Sequence, residues 1–203
     1  DLIACHVYGM NNLVIITGDP PKIGDYPWAT AVYDVDSIGL LQIVDSLNHG
    51  IDPAGKPLHS QTSFVMGTGA EPSSLNYERE MERLKMKVKA GANFIMTQPV
   101  YDINTIHRFL RDTKDLNIPI IVGFLPLISH RNAEFLHNEV PGISIPKEIM
   151  ERMKIANTGE AAKKEGVKII QEIITEIKNE VQGIYLMPPL GKYELAVDII
   201  QIL

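Results

Sequence analysis

SFVMGTGAEPSSLNYEREMERLKMKVKAGANFIMTQP, residues 63–99, holds one complete strand–helix–strand pattern. Ser63-Phe64-Val65-Met66 reads as a buried strand ending in Gly67-Thr68-Gly69, and Phe94-Ile95-Met96-Thr97 as a second ending in Gln98-Pro99. Between them, Tyr77 to Ala90 sets Met81, Leu84 and Val88 on one side and dense charge on the other, the stripe of an amphipathic helix. Gly91 stops that helix just before the next strand. Short, continuous apolar strands suit a parallel sheet covered on both faces.

The same alternation extends outward in both directions. Leu13-Val14-Ile15-Ile16-Thr17 reads as a strand ending in Gly18-Asp19-Pro20-Pro21. Ile118 to Val122 ends in Gly123-Phe124-Leu125-Pro126, and Gly183 to Met187 ends in Pro188-Pro189. Helical stretches are expected over Asp36–Leu47, Ile103–Leu116, Arg131–Val140, Lys147–Asn157, Gly159–Gln182 and Glu194–Leu203, with one more before the first strand. Asn48 to Gln61 is a polar loop. Repeated strand and helix imply right-handed βα units in an α/β protein. A complete eight-stranded βα barrel takes about 250 residues. The 203 residues here, with five strands, fit the last five βα units of such a TIM barrel or an open doubly wound sheet, as a single domain over 1–203. Asp1-Leu2-Ile3-Ala4 lacks a Met and reads as the middle of a helix, so a fragment of a longer barrel is expected. Both architectures bind ligands at the carboxyl ends of their strands.

Composition narrows the classes. The chain is 45% hydrophobic and 22% charged, which is enough apolar surface for a core. A formal charge of −6 argues against nucleic acid or an anionic membrane as the main partner. The single Cys5 excludes a disulfide framework and suggests a reducing compartment, hence a cytoplasmic location. Apolar runs fall far short of the ~20 residues of a membrane span. The six His show no metal-ligand spacing, so no metal is expected, and G-x-G-x-x-G, Walker and G-x-S-x-G patterns are absent. An apolar inner wall left open by five strands points to a homo-oligomer.

The strand ends supply the candidates. Gly18 lets backbone approach a flat ligand, and the carboxylate of Asp19 beside it could recognise amide donors or set a cofactor's electrostatics; it could equally cap a helix or make a turn. Gln98 offers two donors and two acceptor lone pairs to a heterocycle edge, or to neighbouring loop backbone. Glu80, Arg83 and Lys87 fall at i, i+3 and i+7, a row that could hold a phosphate or ribose, or form a solvated face with internal ion pairs. His130 could stack on a ring or shuttle a proton, or be an ordinary loop histidine. Lys192 could bind a carboxylate or phosphate as a point charge, or sit exposed in a loop.

Taken together, Ile16-Thr17-Gly18-Asp19-Pro20-Pro21-Lys22, Gly24-Asp25-Tyr26-Pro27, Tyr33-Asp34-Val35-Asp36-Ser37, Ala90-Gly91-Ala92-Asn93, Thr97-Gln98-Pro99-Val100-Tyr101-Asp102 and Gly123-Phe124-Leu125-Pro126-Leu127 closely resemble the methylenetetrahydrofolate reductase family. Leu47-Asn48-His49-Gly50 looks most like the reductase half of bacterial proteins that fuse it to a homocysteine methyltransferase. The resemblance implies a TIM barrel with FAD at its strand ends, reducing 5,10-methylenetetrahydrofolate to 5-methyltetrahydrofolate with NADH or NADPH, a step of one-carbon metabolism and methionine biosynthesis. It implies that Asp19 is catalytic and lies beside the pyrimidine edge of the flavin and the pterin, and that Gln98 contacts the folate. Thr17 and Gly18 would line the flavin, and Tyr33 and Asp34 its ribityl chain and phosphates. Glu80, Arg83 and Lys87 would hold the adenosine and diphosphate. His130 would stack on substrate, and Lys192 would lie near the folate tail or the nicotinamide cofactor. The alternative is a non-catalytic flavin- or folate-binding module, or a structural part of a barrel.

Overall fold

The computed structural model describes residues 1–202. Helix α1 spans Leu2–Val7, α2 Ser37–Asn48, α3 Tyr77–Lys89, α4 Ile103–Thr113, α5 His130–Glu139, α6 Lys147–Ala156, α7 Gly159–Ile177 and α8 Tyr193–Ile200. Strand β1 spans Asn12–Ile15, β2 Val65–Ala70, β3 Phe94–Pro99, β4 Ile120–Phe124 and β5 Gly183–Leu186. The strands follow chain order in one five-stranded sheet, in which β1 pairs parallel with β2 and β4 parallel with β5. This is an α/β chain whose elements run in the order of consecutive TIM-barrel units. The expected end of α8 at Leu203 lies outside the described residues. Two compact units divide the chain: Asp1–Gly69 with Glu82–Ile95, and Ala70–Met81 with the residues from Met96 on.

In the first unit Asp36 starts α2. Its carboxylate accepts the N–H groups of Ile38 and Gly39, both at 3.0 Å, satisfying amides that a helix leaves unpaired. Leu41 and Val44 of α2 then bury against Ile15, Phe64, Met66, Ala90 and Ala92. β1 stops at Ile15, two residues short of expectation, because Thr17 turns aside and its Oγ1 accepts the Ser37 N–H at 3.2 Å. β2 does not end at Gly67 but runs through it to Ala70. The ring of Phe94 covers Gly67, where a Cβ would stand 2.4 Å from two ring carbons. That glycine makes room inside the strand rather than ending it.

In the second unit β4 begins at Ile120 rather than Ile118. Asn117 is left-handed (φ 51°) and Pro119 has no N–H, so Ile120 is the first residue after them that can donate, and it does so to Gln182 Oε1 at 2.8 Å. Gln182 also gives its own N–H to the Ile120 carbonyl, which is why α7 ends at Ile177 instead of reaching Gln182. α4 likewise ends at Thr113 and tightens into a 3-10 turn over Lys114–Leu116. The core here is the apolar face of α7, with Ile169, Ile170, Ile173, Ile174 and Ile177 buried and the helix packed on α6 and α8.

Candidate functional site

The carboxyl end of β1 opens into a loop that is exposed from Ile16 to Ala29 except at Pro21. Gly18 has open space where a Cβ would stand, so a planar ring can lie against its backbone. Asp19 beside it is exposed, and its carboxylate makes no hydrogen bond or ion pair among the described residues. The fold does not use that charge. Tyr33 returns to this point and its hydroxyl donates to the Gly18 carbonyl at 3.2 Å. Thr17, Gly18, Asp19 and Tyr33 are therefore one cluster, joined to the start of α2 by the Ser37–Thr17 bond, and Asp34 follows Tyr33 in an exposed loop. Tyr26 and Trp28 stand edge-to-face in the same loop, with Trp28 77% exposed.

The helical row divides. Arg83 reaches the Asp36 carboxylate at 3.1 Å and keeps about a third of its side chain in solvent. The Gly39 amide holds the Asp36 carboxyl below the usual carboxylate range, with Arg83 and the Ile38 amide adding to it against a smaller opposing effect of burial. Lys87 is buried, and its ammonium donates to the Gly69 carbonyl in β2 at 2.8 Å. In the second unit the Glu80 carboxylate accepts the Glu71 N–H at 3.1 Å. Glu80 and Lys87 thus both bond backbone at the end of β2, while Arg83, half-buried like Glu80, is paired with Asp36.

Gln98 stands near the end of β3, exposed between buried Thr97 and Pro99, and its amide bonds to none of the described residues. His130 opens α5 with Nδ1 3.5 Å from the Glu134 carboxylate, and its N–H donates to Asn157. Lys192 follows the 3-10 turn after β5. No hydrogen bond among the described residues links these three to one another. Two clefts of about 400 Å³ lie elsewhere, one around Lys114, Asn117 and Gln182 and one around Gln42, Asp45 and Lys89, and none of the expected site residues lines them.

Sequence reasoning missed Tyr185. Its hydroxyl donates to the Thr97 carbonyl at 2.6 Å, and burial pushes its phenol up, which keeps it a donor. The only signal was one phenol in an otherwise aliphatic strand. Tyr101 is similar: it is fully buried and donates to the Leu125 carbonyl at 2.6 Å.

The residues of the first cluster suit a flavin. Open backbone at Gly18 accepts a ring, Asp19 offers an unused carboxylate at a heterocycle edge, and Arg83 offers a cation for a phosphate. The amides at the α2 N-terminus are already taken by Asp36 and hold no phosphate.

A family model described as methylenetetrahydrofolate reductase matches residues 1–203. The chain is 29% identical over 188 residues to "Methylenetetrahydrofolate reductase 2" of Schizosaccharomyces pombe, covering 87% of this chain and 28% of that protein. It is 29% identical over 178 residues to "Probable methylenetetrahydrofolate reductase (NADH)" of Oryza sativa subsp. japonica, covering 83% and 29%. It is 26% identical over 176 residues to "5,10-methylenetetrahydrofolate reductase" of Salmonella typhimurium, covering 85% and 53%. The chain spans under a third of the length of the first two relatives and about half of the third. With the matching model running the whole length of the sequence, the chain belongs to the methylenetetrahydrofolate reductase family.

Proposed function

We propose that this chain acts within an FAD-dependent enzyme that reduces 5,10-methylenetetrahydrofolate to 5-methyltetrahydrofolate with electrons from NAD(P)H. The observation that carries this reading is the Asp19 carboxylate, exposed beside open backbone at the end of β1 and left unengaged by the fold. A bound flavin supplies the hydride. Thr17 and Gly18 line its ring, Tyr33 and Asp34 its ribityl chain, and Arg83 a phosphate. Asp19 places fixed negative charge at the pyrimidine edge, which disfavours added electron density there and favours a cationic acceptor carbon on the folate. Such charge is effective when preorganised in a site from which water is excluded. Gln98 reads the pterin edge, His130 stacks on substrate and Lys192 meets the anionic tail. The exposed apolar residues Val14, Ile16 and Val65 support self-association. Leu47-Asn48-His49-Gly50 supports a fusion with a methyltransferase, and Cys5 a reducing, cytoplasmic setting.

The test is Asp19→Asn in the full-length protein, followed by stopped flow. A loss of ~1.4 kcal/mol of transition-state stabilisation slows the folate half-reaction tenfold. Reduction of the flavin by NAD(P)H changes much less. Equal folate rates in variant and parent defeat the assignment.

A further inference from the structure

Tyr185 on β5 is the register partner of Gly123 on β4. A Cβ at Gly123 would stand 2.7 Å from Cε1 and Cζ of the Tyr185 ring and 2.6 Å from the Thr97 carbonyl oxygen. The ring therefore crosses bare backbone, and its hydroxyl reaches past β4 to the Thr97 carbonyl on β3 at 2.6 Å. Thr97 is also held from its side chain, whose buried Oγ1 accepts the Gly123 N–H at 3.0 Å. Both grips act on the residue just before Gln98.

The peptide group is planar, so fixing the Thr97 carbonyl fixes the plane that carries the Gln98 nitrogen. On the other side Pro99 confines Gln98 to extended backbone. Gln98 is thereby held at the peptide before it and confined to extended backbone by the proline after it, while its own amide stays exposed and makes no bond to the described residues. A ligand-reading amide of that kind is preorganised by its neighbours rather than by its own contacts.

We propose that Tyr185 is a positioning residue that aims Gln98 at the pterin of a folate by holding the Thr97–Gln98 peptide. The inference rests on Gln98 reading the folate, as proposed above. Tyr185 acts through backbone and touches no substrate in this role.

The experiment uses the full-length, flavin-loaded protein as parent, Tyr185→Phe, Gln98→Ala and the double variant. Phe keeps the ring over Gly123 and removes only the hydroxyl. Binding of 5-methyltetrahydrofolate is measured by calorimetry, with flavin content and flavin reduction by NAD(P)H alongside. Tyr185→Phe is expected to weaken folate binding about tenfold, the scale of one lost hydrogen bond, with flavin content and flavin reduction unchanged. The double variant is expected to bind no worse than Gln98→Ala alone. Hydrogen exchange of the amides around Gln98, which needs no ligand, is expected to quicken in Tyr185→Phe. Unchanged exchange, unchanged binding in that variant, or losses that multiply in the double variant each overturn the inference alone. A parent that binds no folate overturns the folate reading, and the inference with it.

Discussion

One side chain, Asn48, satisfies both backbone groups of Phe64: its Nδ2 donates to the Phe64 carbonyl at 2.9 Å and its Oδ1 accepts the Phe64 N–H at 2.8 Å. The same Oδ1 accepts the Thr62 hydroxyl at 2.7 Å. Asn48 ends α2, so this clamp ties the helix to the residue that leads into β2. Asn48→Ala orphans two backbone groups of a residue that is 4% exposed, and is expected to cost about 2 kcal/mol. Asn48→Asp is expected to cost as much, because a carboxylate oxygen would face the Phe64 carbonyl where a donor is required. Urea unfolding of the three proteins checks this; a near-neutral Asp variant would show that the donor bond is dispensable.

Two glycines separate flexible from rigid obstruction. At Gly166 in α7 a Cβ would lie 1.9 Å from the Leu127 carbonyl oxygen, which is backbone and cannot step aside. At Gly67 the obstruction is the half-buried Phe94 ring, which can swing. Gly166→Ala is expected to destabilise by about 3 kcal/mol and Gly67→Ala by about 1 kcal/mol, the upper and lower parts of the range for overpacking. Adding Phe94→Leu to Gly67→Ala is expected to recover part of the loss. Thermal unfolding of the set decides the order.

What the sequence made legible follows from this contrast. The order of elements was readable because each apolar run and helical stripe is a local signal. Thr17, Gly18 and Asp19 stood out as candidates because strand ends bind ligands in either βα architecture. Gly67 and Gly123 were read as strand terminators, which is glycine's usual local meaning. Their actual reason is an aromatic ring from another strand, Phe94 and Tyr185 respectively. The Tyr185–Thr97 bond joins residues 88 apart in sequence, beyond any local pattern. Spacing correctly put Glu80, Arg83 and Lys87 on one face. It could not show that Lys87 turns inward to Gly69 and that Glu80 takes the Glu71 amide.

Tyr77 gives the fold an alkaline limit. Its hydroxyl donates to Asp112 at 3.0 Å, and the Arg108 guanidinium lies 3.9 Å above its ring. Burial, then the bond and charge of Asp112, push the phenol up to about 12 against the pull of Arg108. In the unfolded chain a tyrosine gives up its proton near pH 10. Above about pH 10 the unfolded state therefore holds fewer protons than the folded one, and stability falls as pH rises. Tyr101 and Tyr185, also pushed up by burial, add to the same slope. Comparing Tyr77→Phe with the parent isolates the Tyr77 share: the variant is expected to lose less stability between about pH 9 and pH 11. Parallel curves for the two proteins would contradict it.

Asp36 sets the matching acid limit, at the edge of the proposed flavin site. Its carboxyl is held low chiefly by the Gly39 amide, with Arg83 and the Ile38 amide in support. A depressed carboxylate stabilises the fold fully above its unfolded value near 3.9, and that contribution disappears as pH falls through the lower folded value. Asp36→Ala removes the cap of α2 and is expected to cost about 1 kcal/mol at neutral pH. Asp36→Asn keeps an acceptor for the two amides and loses only the Arg83 pair, which is half exposed and worth little. It is expected to unfold near the parent's midpoint at neutral pH and to show a shallower loss in acid. Releasing Arg83 from its partner also leaves the guanidinium free for an anion, so the Asn variant is expected to keep or gain FAD affinity while the Ala variant, with α2 loosened at its start, loses it. Flavin titration of both variants against the parent reads this directly, and equal losses in the two would show that the Asp36 charge itself, rather than the cap, supports the site.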